Sequence, residues 1–102
     1  MLDIFVCEDN AAQRRTIVQI IQNTVLIDEL DMRLVLDTED PYALLEKINT
    51  CQNTGIYFLD IDLNSNINGM KLAQQIRLSD PRGFIIFITA HSELSYMTFQ
   101  YR

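Results

Sequence analysis

The sequence predicts one α/β domain, built on a parallel β-sheet with helices on both faces. Two observations lead to this prediction. Short apolar segments alternate along the chain with longer amphipathic segments, as strands and helices do in parallel sheets. Two of the apolar segments, residues 56–59 and 84–88, are almost continuously apolar. That composition is typical of strands that are covered on both faces.

The first half of the chain contains two predicted strands and two predicted helices. Leu2–Cys7 is a β-rich strand, and residues from Ala11 to about Leu26 form a helix, because their apolar side chains recur at helical spacing. Met32–Leu36 is the second strand. Asp40 and Pro41 open the second helix as an N-cap followed by proline at the first helical position. The predicted apolar stripes are Ile17, Ile20, Ile21 and Val25 in the first helix and Leu44, Leu45 and Ile48 in the second.

The second half of the chain repeats this alternation. Ile56–Asp60 is the third strand, and Gly69–Leu78 is a helix that the turn-forming residues 80–83 bring to an end. The apolar face of this helix is formed by Met70, Leu72, Ala73 and Ile76. Phe84–Ile88 is the fourth and most apolar strand, and the tail from Ser92 can begin another helix.

Composition and charge limit the class of protein. The mean hydropathy is near zero and no apolar stretch approaches the roughly 18–20 residues that span a bilayer, which argues against a membrane protein. No secretion signal is visible, so we expect a cytoplasmic protein. The net charge of −6 argues against direct nucleic-acid contact, because phosphate contacts need a basic surface. Cys7 is expected to be a buried free thiol.

Acidic residues follow the ends of strands that are expected to be neighbours. Glu8 and Asp9, the acidic pair, follow the first strand, Asp60 ends the third, and Thr89 follows the fourth. In a flavodoxin-like, doubly wound sheet with strand order 2-1-3-4, these groups converge in the crevice where ligands bind. Clustered carboxylates recruit a hard cation, and a partly open oxygen site suits Mg²⁺.

Three segments resemble the receiver domains of two-component response regulators, which are CheY-like folds. The segments are Phe5–Asn10, Phe58–Leu63 with Gly69 downstream, and Ile86–Ala90. They are similar to the acidic-pair, phosphoacceptor and switch-threonine segments of that family. Residues 67–72 and 91–94 further resemble receivers of the accessory gene regulator A type, which carry a LytTR-type DNA-binding domain.

The resemblance implies a role for each residue at the predicted site. Asp60 would take a phosphoryl group from a sensor histidine kinase, and Thr89 would sense that group. Asp9 and Asp60 would bind Mg²⁺ or Mn²⁺ directly, Glu8 would bind it through water, and the Asp62 backbone carbonyl would be a further ligand. The domain would not be an enzyme itself. It would signal to a DNA-binding output domain in transcription regulation, in the manner of quorum sensing.

The sequence departs from the receiver pattern at two places. Asn64 stands where receivers usually carry proline, in a loop that is one residue longer. Receivers also carry a lysine at the end of a fifth strand, and the chain reaches Arg102 without one, since Lys47 and Lys71 lie in other segments. We therefore expect a receiver domain over residues 1–102 that is truncated before strand 5 and helix 5.

The expected truncation also predicts self-association. Without a fifth strand, Phe84–Ile88 would lie at the edge of the sheet with unpaired backbone groups and an uncovered apolar face. We expect a homodimer that forms through this strand or through the tail from Ser92.

The residues alone leave two other functions open. Asp60-Ile61-Asp62 also matches the nucleophile motif of haloacid dehalogenase phosphatases, with Thr89 as their second motif, although the acidic pair then has no role. A phosphorylation-independent dimerisation module is the other alternative, which the missing lysine allows. His91 either controls the access of water to Asp60 or caps a helix.

Overall fold

The computed structural model describes residues 1–63, 65–88 and 97–101. In chain order the elements are β1 (Leu2–Cys7), α1 (Ala11–Ile27), β2 (Met32–Thr38), α2 (Pro41–Ile48), β3 (Gly55–Asp60), α3 (Gly69–Ser79), β4 (Phe84–Ile88) and β5 (Met97–Tyr101). The seven elements predicted between residues 2 and 88 are all present. No helix within the described ranges is long and apolar enough to cross a membrane.

The five strands form one sheet in the order β2-β1-β3-β4-β5, and the first four are parallel. The predicted parallel order 2-1-3-4 is therefore confirmed. The carboxyl ends of β1 and β3 lie side by side, since Cys7 of β1 pairs with Leu59 of β3. On the other side of β3, Asp60 pairs with Ile88 at the end of β4. The chain leaves β1 and β3 toward opposite sides of the sheet, which opens a crevice at their shared end.

Each of the three helices begins at a side-chain cap. The side-chain oxygens of Asn10, Asp40 and Asn68 each accept a hydrogen bond of 2.9 Å from a backbone N–H in the first helical turn. Pro41 follows the Asp40 cap as the sequence predicted. The caps fix where α1 and α3 start, and both starts lie just after the segments that carry the acidic residues.

The sheet separates two apolar clusters. The larger cluster lies on the α2 and α3 side and contains Phe5, whose ring stacks on that of Tyr57 with centroids 5.0 Å apart, together with Leu44, Leu72 and Ile76. The smaller cluster lies under α1 and consists of Ile4, Val6 and Ile21, with half-buried neighbours around them. Helices thus cover both faces of β1, as the sequence predicted for a parallel sheet.

Two of the residues predicted to lie on apolar helix faces, Ile20 and Met70, are exposed instead. Ile20 is 60% exposed. Val18 packs in its place against the smaller apolar cluster under α1, beside Ile17, Ile21 and Val25. Consecutive helical residues are about 100° apart, so Ile20 points away from the sheet once Ile21 faces it. Met70 is 38% exposed for a similar reason, because α3 turns Leu72 and Ala73 into the core.

The tail follows a different path from the one expected. Met97–Tyr101 is a strand that runs antiparallel to β4, with Ile85 opposite Tyr101 and Ile88 opposite Met97. The prediction that β4 lies at a free sheet edge was therefore wrong, because the chain's own tail satisfies the β4 backbone groups. The reason for expecting dimerisation through the β4 edge therefore no longer holds, whereas dimerisation through the tail stays a prediction.

Candidate functional site

Three carboxylates meet at the carboxyl ends of β1 and β3. One oxygen from each of Glu8, Asp9 and Asp60 lies within 4.8 Å of the other two. Glu8 is 1% exposed and Asp60 is 5% exposed, while Asp9 is half-buried. The convergence that the sequence predicted for these three residues is present in the structure.

Hydrogen bonds to the Glu8 main chain and side chain hold the turn that carries the acidic pair. The Glu8 N–H donates to the Thr38 carbonyl at 3.0 Å, which ties the residue to the end of β2. The Asn10 N–H donates to Glu8 Oε2 at 3.2 Å, and Arg14 Nη1 donates to the Glu8 carbonyl at 2.7 Å. The Glu8 main chain and side chain are thus held by contacts from both sides of the turn.

The end of β3 fixes Asp60 in a similar way. Its Oδ1 accepts a hydrogen bond of 2.9 Å from the Asp62 N–H, and the Ile61 N–H donates to the Ile88 carbonyl at 3.2 Å. Gly69 starts α3 directly against this segment. A Cβ at Gly69 would clash with the Asp60 carbonyl oxygen, so the close approach of α3 to the site requires glycine.

The cluster changes the acidity of Glu8. Burial, followed by the neighbouring carboxyls of Asp60 and Asp9, raises the pKa of the Glu8 carboxyl to about 8, although the hydrogen bond from the Asn10 N–H lowers it in part. Glu8 Oε1 is also buried without a hydrogen-bond partner. A buried acceptor without a partner is costly, and a bound cation would remove both that cost and the repulsion among the carboxylates.

The donor set fits a small divalent cation. All three groups offer carboxylate oxygens, which are the ligands that Mg²⁺ and Mn²⁺ prefer. The three oxygens all lie within 4.8 Å of one another, so one cation could be held by the group either directly or through water.

The remaining predicted site residues take different positions. The Asp62 side chain is exposed and does not join the cluster, and its carbonyl as a metal ligand stays a prediction. Asn64, Thr89 and His91 lie outside the described residues. Cys7 is a free, buried thiol, as predicted, and its burial, followed by the charges of nearby acids, raises its pKa to about 12.

Sequence reasoning missed Arg14. It lies in the first turn of α1, where its guanidinium contacts the Glu8 carbonyl and Asp37 of β2. The signal that could have found it is a basic residue five positions after Asp9, at the start of a helix that begins beside the acidic pair.

Comparison with known proteins identifies the family of the chain. Residues 4–101 match the response regulator receiver domain family, and the chain belongs to that family. It is 52% identical over 101 residues to accessory gene regulator protein A of Staphylococcus epidermidis and 48% identical to the protein of that name in Staphylococcus aureus. These alignments cover 99% of the chain and 42% of each relative, so the chain spans less than half of their length.

A solved structure supports the fold independently. The signal receiver domain of a modulated diguanylate cyclase from Desulfovibrio desulfuricans G20 superposes with a TM-score of 0.69 and 18% identity. The superposition covers 92% of this chain and 69% of that one. The family match confirms the predicted resemblance to response regulator receivers, and the solved structure confirms the fold.

Proposed function

We propose that Asp60 accepts a phosphoryl group from the phosphohistidine of a sensor histidine kinase, at a site where Asp9 and Asp60 bind Mg²⁺ or Mn²⁺. The observation that carries the proposal is the position of Asp60. It is a nearly buried carboxylate at the end of a central strand, within 4.8 Å of two further carboxylate oxygens. Burying several carboxylates together is costly unless a bound cation balances their charge.

The hydrogen bonds of Asp60 suit a nucleophile. The Asp62 N–H holds Oδ1, which limits rotation of the carboxylate and so orients its attacking oxygen. In the transfer, an oxygen–phosphorus bond forms on Asp60 and the nitrogen–phosphorus bond of the phosphohistidine breaks. The phosphohistidine ring carries a proton on its other nitrogen, so the kinase histidine leaves as neutral imidazole. A bound divalent cation would neutralise charge on the transferring phosphoryl oxygens. Asp9 would bind it directly, Glu8 would bind it through water, and the Asp62 carbonyl would be a further ligand.

The modified site would then signal to the rest of a longer protein. Thr89 would hydrogen-bond a phosphoryl oxygen and change the adjacent surface. The chain matches 42% of the length of relatives that are named as gene regulators, which leaves room in such proteins for a separate output domain. By the resemblance, that domain would be of the LytTR DNA-binding type. The net charge of −6 also supports a separate output domain, because an acidic receiver domain is poorly suited to contact DNA phosphates itself. The cellular role would be cytoplasmic transcription regulation, such as quorum sensing.

Intact-mass measurement tests the phosphoacceptor role. After incubation with Mg²⁺ and acetyl phosphate, the wild-type chain should gain one phosphoryl group, and Asp60→Asn should gain none. Asp62→Asn is the matched control, because it removes an exposed carboxylate two residues away and should still react. A phosphoryl group on Asp60→Asn would overturn the proposal. Complete loss in Asp62→Asn would instead favour chemistry of the dehalogenase type.

A further inference from the structure

Arg14 joins the acidic turn to the neighbouring strand. Its Nη1 donates to the Glu8 carbonyl at 2.7 Å, and its Nε lies 3.5 Å from Asp37 Oδ1. The Arg14 side chain is 20% exposed, so the ion pair is partly shielded from solvent. A planar guanidinium can make two such contacts in fixed directions, which an ammonium group cannot do.

The bond to Glu8 acts one residue past the end of β1. β1 ends at Cys7, and its pairing with β3 ends at the same residue. The Thr38 carbonyl holds the Glu8 N–H, and Arg14 holds the carbonyl on the other side of the residue. Because the Glu8 carbonyl and the Asp9 N–H belong to one planar peptide unit, the Arg14 bond also fixes the direction in which Asp9 leaves the turn.

We propose that Arg14 is a positioning residue for the divalent-cation site, which acts through the Glu8 carbonyl to keep the acidic pair beside Asp60. The proposal rests on the proposed function, because it concerns the same site. In this role Arg14 would act through the Glu8 carbonyl and would not itself be a ligand of the cation. Its contribution is the geometry in which the three carboxylate oxygens lie within 4.8 Å of one another.

Because Arg14 is positively charged, a positioning role and a purely electrostatic role predict opposite effects of its removal on Mg²⁺ binding. A cationic side chain near the site repels Mg²⁺, so its removal should strengthen metal binding if charge alone mattered. Loss of the positioning contact should weaken metal binding. Arg15 is the matched control, because it carries the same charge on the next residue of α1 and is exposed.

Isothermal titration with Mg²⁺ measures the effect in the wild-type chain, Arg14→Gln, Arg14→Lys and Arg15→Gln. Arg14→Gln should bind Mg²⁺ roughly tenfold more weakly, the low end of the losses seen when residues that orient metal ligands are removed. Arg14→Lys should also bind more weakly, because it keeps the charge but not the two directed contacts. Arg15→Gln should stay within about twofold of wild type, since exposed charges are screened.

Thermal unfolding without metal shows which variants fold. A folded Arg14→Gln or Arg14→Lys variant that binds Mg²⁺ as tightly as wild type overturns the positioning role, even if it unfolds at a lower temperature. If Arg14→Gln does not fold, Arg14→Lys carries the test. Failure of the wild-type chain to bind Mg²⁺ would overturn the cation site itself, which is a separate result.

Discussion

Gly69 lies so close to Asp60 that the two residues share one packing constraint. A Cβ on Gly69 would clash with the Asp60 carbonyl oxygen and would lie only 2.7 Å from Ile61 Cα. Both of these atoms belong to the backbone and cannot move as a flexible side chain would. The start of α3 and the end of β3 are therefore fixed against each other at the candidate site.

Gly69→Ala should lower both stability and phosphorylation. Relief of the clash has to shift either α3 or the segment that presents Asp60, at a cost of about 1–3 kcal/mol in the free energy of unfolding. Urea unfolding measures the loss of stability, and the rate of modification by acetyl phosphate measures the loss at the site. Met70→Ala, at the next and exposed position, should change both much less. If Gly69→Ala and Met70→Ala lost equal amounts of stability and of phosphorylation rate, the packing constraint would be contradicted.

Mg²⁺ should stabilise the wild-type chain. A ligand that binds only the folded state raises the melting temperature by mass action, and the clustered carboxylates add to this because their repulsion is relieved. Asp9→Asn should remove most of the increase seen with millimolar Mg²⁺. Asp62→Asn should keep it, because that side chain lies outside the cluster. An unchanged response in Asp9→Asn would mean that the cation binds elsewhere.

Glu8 should make the metal-free protein less stable as the pH rises. Its pKa is about 8 in the folded chain against an ordinary value of 4.5, so between these values the folded state holds a proton that the unfolded state has released. The free energy of unfolding therefore falls through this window, and the loss is complete above the folded pKa. Urea unfolding at a series of pH values with a chelator present measures the slope. Glu8→Gln should flatten it, and an identical slope in that variant would contradict the assignment.

β5 should keep β4 from pairing with other chains. Removal of residues 97–102 would expose the backbone groups along Phe84–Ile88, an apolar strand without a charged residue. We expect the shortened chain to form dimers or larger species at concentrations where the whole chain does not. Light scattering behind a sizing column measures the difference. The same mass for both chains would show that β5 does not protect this edge.

The sequence was sufficient for the fold class and for the acidic cluster, for a physical reason. Alternation of strands and helices dictates a parallel sheet, and the carboxyl ends of parallel strands meet at one edge. Glu8, Asp9 and Asp60 could therefore be brought together from their positions at strand ends alone. The Asp40–Pro41 helix start was equally clear, because capping is a local interaction.

The features that the sequence could not provide depend on non-local contacts. The pairing of Met97–Tyr101 with β4 joins segments that no periodicity relates. The exposure of Ile20 depends on how α1 is rotated over the sheet, and several stripes of that helix are apolar enough to face inward. The bond from Arg14 to Glu8 depends on the same rotation, so its role emerges only from the structure.

Identification of the modified residue tests the central claim most directly. After reaction with acetyl phosphate and Mg²⁺, borohydride converts an aspartyl phosphate to homoserine, which peptide mass spectrometry locates in the chain. The account predicts homoserine at position 60 in the wild-type chain and none in Asp60→Asn. Homoserine at Asp9 or Asp62, or a modified wild-type chain with an intact Asp60, would contradict it.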